Sequence, residues 1–285
     1  MVSLSPVTPA IGVELSGLDF SSPLSTEDQD AVYQALMDHH VIFVRGVDIS
    51  PAAHLAFARG FGALDEPHLF YPHVAGFENI VLLENDRDRP PDTNSWHTDL
   101  TFKAEQPFAS ILIARDVPAS GGDTLWSSSY AAYGRLPDGM KRDLEGLKAV
   151  HDLGDFRNSV AQASGEQTAV ERLNGEVSRF GHNIRPLIDR HPVTGRKFLN
   201  FNEAFVSHIL GLTTNESNAL RTFLANHMNK PEDQVRWRWQ KGDLAMWDNR
   251  VTMHYAVSDY VPHYRCMNRI TVVSDIRESA KKSQV

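Results

Sequence analysis

The chain predicts a mainly β fold with flanking helices, closed as a β-barrel or a jelly roll. Three observations lead there. Short apolar, often β-branched runs recur along its 285 residues, as at Val41-Ile42-Phe43-Val44 and Ile270 to Val273. Capped amphipathic segments of helical length stand between some of these runs. His97 and Asp99 are 155 or more positions from His254, a histidine that completes the same chemistry. Groups so distant meet most readily where remote strands become neighbours.

The elements follow in order. Ser25 is placed to cap a helix from about Thr26 to His39, with Asp28 at capping-box spacing. Val41 to Val44 reads as a buried strand. Ser50-Pro51 supplies an N-cap and a first helical residue for a helix to about Gly60. Ile80 to Leu83 and Ile111 to Ala114 are strands. Gly121-Gly122 permits a turn with positive φ, after which Thr124 opens a short strand. Residues 152 to 185 are polar and irregular, either a lid or insertion over a site or an ordinary surface excursion. Thr213 with Glu216 starts a helix through about His227. Gln234 to Trp239 alternates polar and apolar residues. Its two arginines and two tryptophans imitate a nucleic-acid patch, but a strand with one solvated face accounts for them.

Composition narrows the function classes. Residues 1–285 are expected to form one domain, a size that β-barrels and related folds reach. A hydrophobic content of 41% and a charged content of 22% are those of an ordinary globular protein. The net charge of −8 argues against non-specific nucleic-acid binding. The single cysteine, Cys266, excludes an internal disulfide framework and reads as a buried small hydrophobe. No long apolar run suggests a membrane span. The N-terminus lacks a basic and an apolar signal region, so a cytoplasmic location is expected.

The chemistry-bearing residues sit in Trp96-His97-Thr98-Asp99 and Trp247-Asp248-Asn249-Arg250-Val251-Thr252-Met253-His254. Together they offer one carboxylate and two imidazoles, the facial ligand set of a non-haem Fe(II) oxygenase. Three ligands on one octahedral face leave three positions for a bidentate co-substrate and dioxygen. On a strand, alternate side chains share a face, so His97 and Asp99 can aim at one point, whereas a helix would set them about 200° apart. The apolar and β-branched surroundings through Phe102 favour strand. With 13 histidines in the chain a bare His-x-Asp pair is weak; the ordered combination with His254 and the arginines beyond it is specific.

Those arginines are Arg265 and Arg269, four apart and so on one strand face with Met267 between them. Two guanidiniums on an inward face are costly unless they meet anions. The planar fork suits a carboxylate or a sulfonate.

With Ile11-Gly12-Val13-Glu14-Leu15-Ser16-Gly17, Phe61-Gly62, Tyr71-Pro72-His73, Gly121-Gly122-Asp123-Thr124-Leu125-Trp126, His191-Pro192-Val193, Asn202-Glu203 and Ser274-Asp275, these segments resemble the Fe(II)- and 2-oxoglutarate-dependent TauD/TfdA dioxygenases over nearly the whole chain. Within that family the taurine dioxygenases are the most similar. The resemblance implies a double-stranded β-helix (jelly roll), with Fe(II), 2-oxoglutarate as co-substrate and O₂. It implies His97, Asp99 and His254 as iron ligands, and Arg265 with Thr124 as the clamp on the distal carboxylate of 2-oxoglutarate. It further implies that Arg269 and His68 hold a substrate sulfonate, that Tyr71 and Phe205 wall the pocket, and that the Leu100 N–H faces the substrate anion. Where the taurine enzymes carry an amine-contacting Asn, this chain has Thr93; a wall Phe aligns with Val160. Losing one amide contact removes about 1 kcal/mol, enough to change selectivity. The expected partner is therefore a small anionic substrate, foremost a taurine-like sulfonate giving sulfite and an aldehyde, with a sulfate ester or carboxylate as alternatives. A homo-oligomer is also expected. A zinc hydrolase would use the same two His and one Asp, but the arginine pair argues against it; a non-catalytic anion-binding protein would bind ligand without O₂-dependent succinate production.

Overall fold

The structure is a computed structural model that describes residues 2–47, 49–68, 71–91, 95–153 and 181–278. The chain begins β1 (Ser3–Pro6), β2 (Val13–Ser16), α1 (Thr26–His39), β3 (Val41–Val44), α2 (Pro51–Arg59), β4 (His73–Val74), β5 (Phe77–Asn85) and β6 (Ala109–Asp116). It continues β7 (Thr124–Ser128), α3 (Ser129–Arg135), α4 (Asp138–Leu144), β8 (Lys148–His151), β9 (Asn183–Pro186), β10 (Ile188–Arg190), β11 (Lys197–Leu199) and β12 (Val206–Ile209). It ends α5 (Thr214–Met228), β13 (Gln234–Trp237), β14 (Leu244–Asp248), β15 (Thr252–Ala256) and β16 (Arg265–Val272).

An eight-stranded sheet, ordered β1-β2-β3-β14-β6-β16-β5-β4, is one wall of the jelly roll. Its strands obey period-two burial with both faces covered. Ile42, Val44, Ile111, Ile113, Leu244, Met246, Ile270 and Val272 pack outward under α1 and α2. Phe43, Leu112, Ala245, Trp247 and Met267 point the other way, against Trp126, Val235 and Trp237 of the sheet β13-β7-β15. Phe43 stacks on Trp237 at 4.0 Å between ring centroids. Two buried faces explain why Val41 to Val44 and Ile111 to Ala114 are continuous apolar runs rather than alternating ones. A further sheet, β12-β8-β9, packs with α5 over Leu187, Leu199, Leu224 and Met253.

The helix boundaries follow local chemistry. The Ser25 hydroxyl accepts from the Asp28 N–H, the Ser50 hydroxyl accepts from the Ala53 N–H, and Thr213 with Glu216 forms a complete capping box. α1 stops where His40 takes φ +68°. The alternation expected for Gln234 to Trp239 is found over β13, with Val235 and Trp237 buried and Arg236 exposed.

Two expectations need correction. The strand expected from Trp96 through Phe102 is only a single bridge, His97 opposite His254, after which the chain turns. The lid expected at 152–185 falls mostly on residues 154–180, outside the described residues, and its last part is not irregular: Asn183 to Pro186 is strand β9, paired with β8. Among the described residues no helix is long and apolar enough to cross a membrane.

Candidate active site

The 155-position gap between Asp99 and His254 closes through the backbone. The His97 N–H donates to the His254 carbonyl at 3.0 Å, and the His254 N–H donates back at 2.7 Å. The two imidazoles then stand 4.1 Å apart between centroids. Thr98 extends the link by donating to the Thr252 carbonyl at 2.9 Å.

Beyond Thr98 an amide side chain replaces the neighbouring strand. The Asp99 N–H donates to Asn249 Oδ1 at 2.9 Å, and Asn249 Nδ2 donates to the Asp99 carbonyl at 3.0 Å. With its ladder bonds supplied this way, the backbone is free to turn at Leu100, at φ +53°. That is the physical reason the strand ends early, and His97 and Asp99 still aim at one point. Asn249 is itself fixed by its neighbours. Asp248 accepts from Arg250 at 2.7 and 2.9 Å and lies 3.0 Å from His191 Nε2, while Arg250 reaches Asp275 at 3.1 Å.

The ligand-capable atoms of His97, Asp99 and His254 lie within 4.8 Å of one another, and all three residues are buried. His97 Nε2 is 3.6 Å and His254 Nε2 3.8 Å from Asp99 Oδ1. His97 Nδ1 is 2.9 Å from the Ser95 carbonyl, which assigns the proton to Nδ1 and leaves the Nε2 lone pair facing the cluster. Burial, aided by the neighbouring His97, pushes the His254 imidazole down to about 3, so it is neutral at pH 7. Burial alone would raise the Asp99 carboxyl, but Arg269, the two imidazoles and the Ser110 hydroxyl together hold it below the usual carboxylate range. An ionised carboxylate beside two imidazoles whose Nε2 atoms face it is a donor set that fits a divalent transition metal.

Arg265 and Arg269 share the inward face of β16 with Met267, as the four-residue spacing requires. Arg265 is buried, and burial lowers its guanidinium from the ordinary arginine value. Its Nε donates to the Gly122 carbonyl at 3.2 Å. Among the described residues no carboxylate forms an ion pair with it. Gly122, at φ +70°, lets the arginine come close: a Cβ there would lie 3.1 Å from Arg265 Cδ. The Thr124 hydroxyl accepts from Trp239 Nε1 at 2.9 Å, which leaves its own O–H to donate. Arg269 Nη1 lies 3.5 Å from Asp99 Oδ1.

One cavity of about 570 Å³ joins these groups. Tyr71, His97, Thr124, His254, Arg265 and Arg269 all line it, with Leu82, Leu83, Leu112, Pro90, Pro91 and Val257 as apolar walls. His68 lies tilted beside Tyr71, 4.7 Å between centroids, and burial together with the Arg269 charge pushes its imidazole down to about 3. Phe205 meets His97 edge-on at 6.4 Å and Phe102 at 5.2 Å, and it does not line the cavity. Leu100 packs with Phe102 and Phe205. Thr93 and Val160 lie outside the described residues. Asn249, Ser110 and Trp239, which fix Asp99 and Thr124, carry no role that sequence alone reveals. The available signal was a buried polar residue inside an apolar run, such as Ser110 in Phe108-Ala109-Ser110-Ile111-Leu112.

Comparison with known proteins places nearly the whole chain in one family. The family model described as taurine catabolism dioxygenase TauD, TfdA family matches residues 3–271. An "Alkylsulfatase" of Acinetobacter baylyi is 35% identical, over 98% of this chain and 87% of that one. An "Alpha-ketoglutarate-dependent sulfate ester dioxygenase" of Pseudomonas putida is also 35% identical, over 96% and 90%. Among solved structures, a taurine dioxygenase from Burkholderia xenovorans superposes with a TM-score of 0.81 at 30% identity, covering 96% of this chain and 90% of that one. With that family's pattern running through nearly the whole sequence, the chain belongs to the TauD/TfdA family and is a 2-oxoglutarate-dependent dioxygenase.

Proposed function

We propose that the enzyme oxidises an organic sulfate ester with an apolar body, using His97, Asp99 and His254 to hold Fe(II). The observation that carries this reading is the arginine pair. Arg265 and Arg269 line one cavity, four positions apart on β16, which is about 13 Å of extended strand. Arg265, buried, and Arg269, partly buried and 3.5 Å from Asp99, offer two cationic anchors along one wall for two anionic ligands. Arg265, with the Thr124 hydroxyl, would take the distal carboxylate of 2-oxoglutarate; Arg269 would take the sulfate group, with His68 and Tyr71 beside it. Bound Fe(II), 2-oxoglutarate and O₂ supply oxidative decarboxylation to succinate and CO₂, coupled to hydroxylation of a substrate C–H bond. The protein's part is to fix that bond near the metal by its charged end and to exclude water with apolar walls.

The walls favour an apolar tail. The cavity presents Leu82, Leu83, Leu112, Pro90, Pro91 and Val257; of its two lining acids, Glu84 accepts from the Tyr264 hydroxyl at 2.6 Å and from Arg89 at 3.3 Å, and Asp88 is exposed at the rim. The names of the two relatives at 35% identity point to sulfate esters as well. A taurine-like sulfonate is the second reading, favoured by the solved taurine dioxygenases of the same fold.

Anaerobic loading with Fe(II) and 2-oxoglutarate, followed by O₂ and a panel of alkyl sulfates, sulfonates and carboxylates, tests both. Coupled succinate and sulfate from an alkyl sulfate is the expected result. Sulfite from taurine instead would move the assignment to the second reading, and no coupled succinate from any sulfur oxyanion would overturn both.

A further inference from the structure

Strand β6 crosses the middle of the eight-stranded sheet, and its inward-facing row is Ser110, Leu112 and Ala114, of which Leu112 lines the cavity. The serine is fully buried, 0% exposed, in a row that is otherwise apolar. Its hydroxyl donates to Asp99 Oδ2 at 3.0 Å. The other oxygen of the same carboxylate, Oδ1, is the one that faces both imidazoles, at 3.6 and 3.8 Å. The hydroxyl thus tethers Oδ2 and leaves Oδ1 to face the imidazoles, with Arg269 Nη1 3.5 Å from it. Ser110 cannot drift from this position, because its backbone is held from both sides, in register with Trp247 on β14 and Thr271 on β16.

We propose that Ser110 is a positioning residue that confines Asp99 to single-oxygen ligation of the metal. The proposal rests on the reading of His97, Asp99 and His254 as ligands. A carboxylate free to rotate about its Cβ–Cγ bond can present both oxygens to one ion. That would consume a coordination position that a bidentate co-substrate and dioxygen require. A hydrogen bond to an ionised acceptor is among the stronger ones, and removing such support from a metal ligand weakens metal affinity about 10- to 100-fold. The cause lies in sequence as well: β6 has apolar residues at every other inward position, and a hydroxyl is retained at the one place where a carboxylate lies within reach.

The test is an equilibrium Co(II) titration of the metal-free protein, followed by the cobalt d–d absorption, for the wild type and Ser110→Ala. Removing one oxygen atom leaves the packing intact, and far-UV circular dichroism checks that the fold is unchanged. The expected result is Co(II) binding weakened at least about tenfold, with an altered d–d band, at unchanged dichroism. Affinity within twofold of the wild type overturns the proposal and leaves the metal reading standing. Failure of the wild type to bind one equivalent of Co(II) overturns the metal reading, and the proposal with it.

Discussion

Replacing Asn249 by Ala removes the amide that stands in for a missing strand. Asn249 is 0% exposed. Its carboxamide accepts from the Asp99 N–H at 2.9 Å and donates to the Asp99 and Pro107 carbonyls at 3.0 and 3.3 Å. The alanine variant leaves the N–H and C=O of a buried Asp99 without these partners. Each orphaned buried group costs about 1–3 kcal/mol, so the metal-free protein should lose about 2–6 kcal/mol of stability. Freed from the clamp, Asp99 should also lose its aim, and metal affinity should fall about 10- to 100-fold. Urea unfolding of the metal-free protein gives the first number and Co(II) titration the second. Asn249→Asp sharpens the test: it keeps the acceptor for the Asp99 N–H but sets an oxygen against two carbonyls, so it should destabilise at least as much as alanine. A stability loss under about 1 kcal/mol in both variants would refute the clamp, because unpaired buried amides cannot be that cheap.

Other outcomes follow from the same geometry. Gly122→Ala places a Cβ 3.1 Å from Arg265 Cδ at a φ of +70°, so 2-oxoglutarate binding should weaken several-fold in an anaerobic titration of the Fe(II) enzyme, with metal affinity unchanged. His97→Ala should abolish turnover, whereas Arg269→Ala should chiefly raise the Kd of the primary substrate; full coupled activity in the His97 variant would contradict the metal assignment. Stability should also depend on pH through buried histidines away from the site. Burial pushes His40 down to about 4 and His54 and His151 to about 3, against an unfolded value of about 6.5. The unfolded chain therefore binds more protons in this window. The stability these groups contribute is complete above pH 6.5 and is lost as pH falls toward 4, with a slope of about 1.4 kcal/mol per pH unit for each histidine. Urea unfolding of the metal-free protein between pH 7 and 5 should show the decline, and a flat profile would exclude it.

Much of this molecule could be read from contiguous residues. Helix starts at Ser25, Ser50 and Thr213 are set by side chains three positions from their partners. The strands β3, β6 and β16 declare themselves by apolar runs, because a strand buried on both faces has no solvated row to interrupt it. The shared face of Arg265 and Arg269 comes from spacing along the chain, because the two-residue period of a strand is a local property. Tertiary structure alone decided the rest. The strand at His97 stops after one bridge because Asn249, 150 positions away, supplies the next hydrogen bonds. Ser110 looks like any small residue in an apolar run until the fold brings Asp99 to its hydroxyl. The volume of the cavity and the pairing of its acid Glu84 with Tyr264, 180 positions on, likewise depend on strand register. Local sequence specifies what a segment prefers and which face it offers. Which buried polar group meets which partner is settled only when register brings together residues that the chain itself keeps far apart.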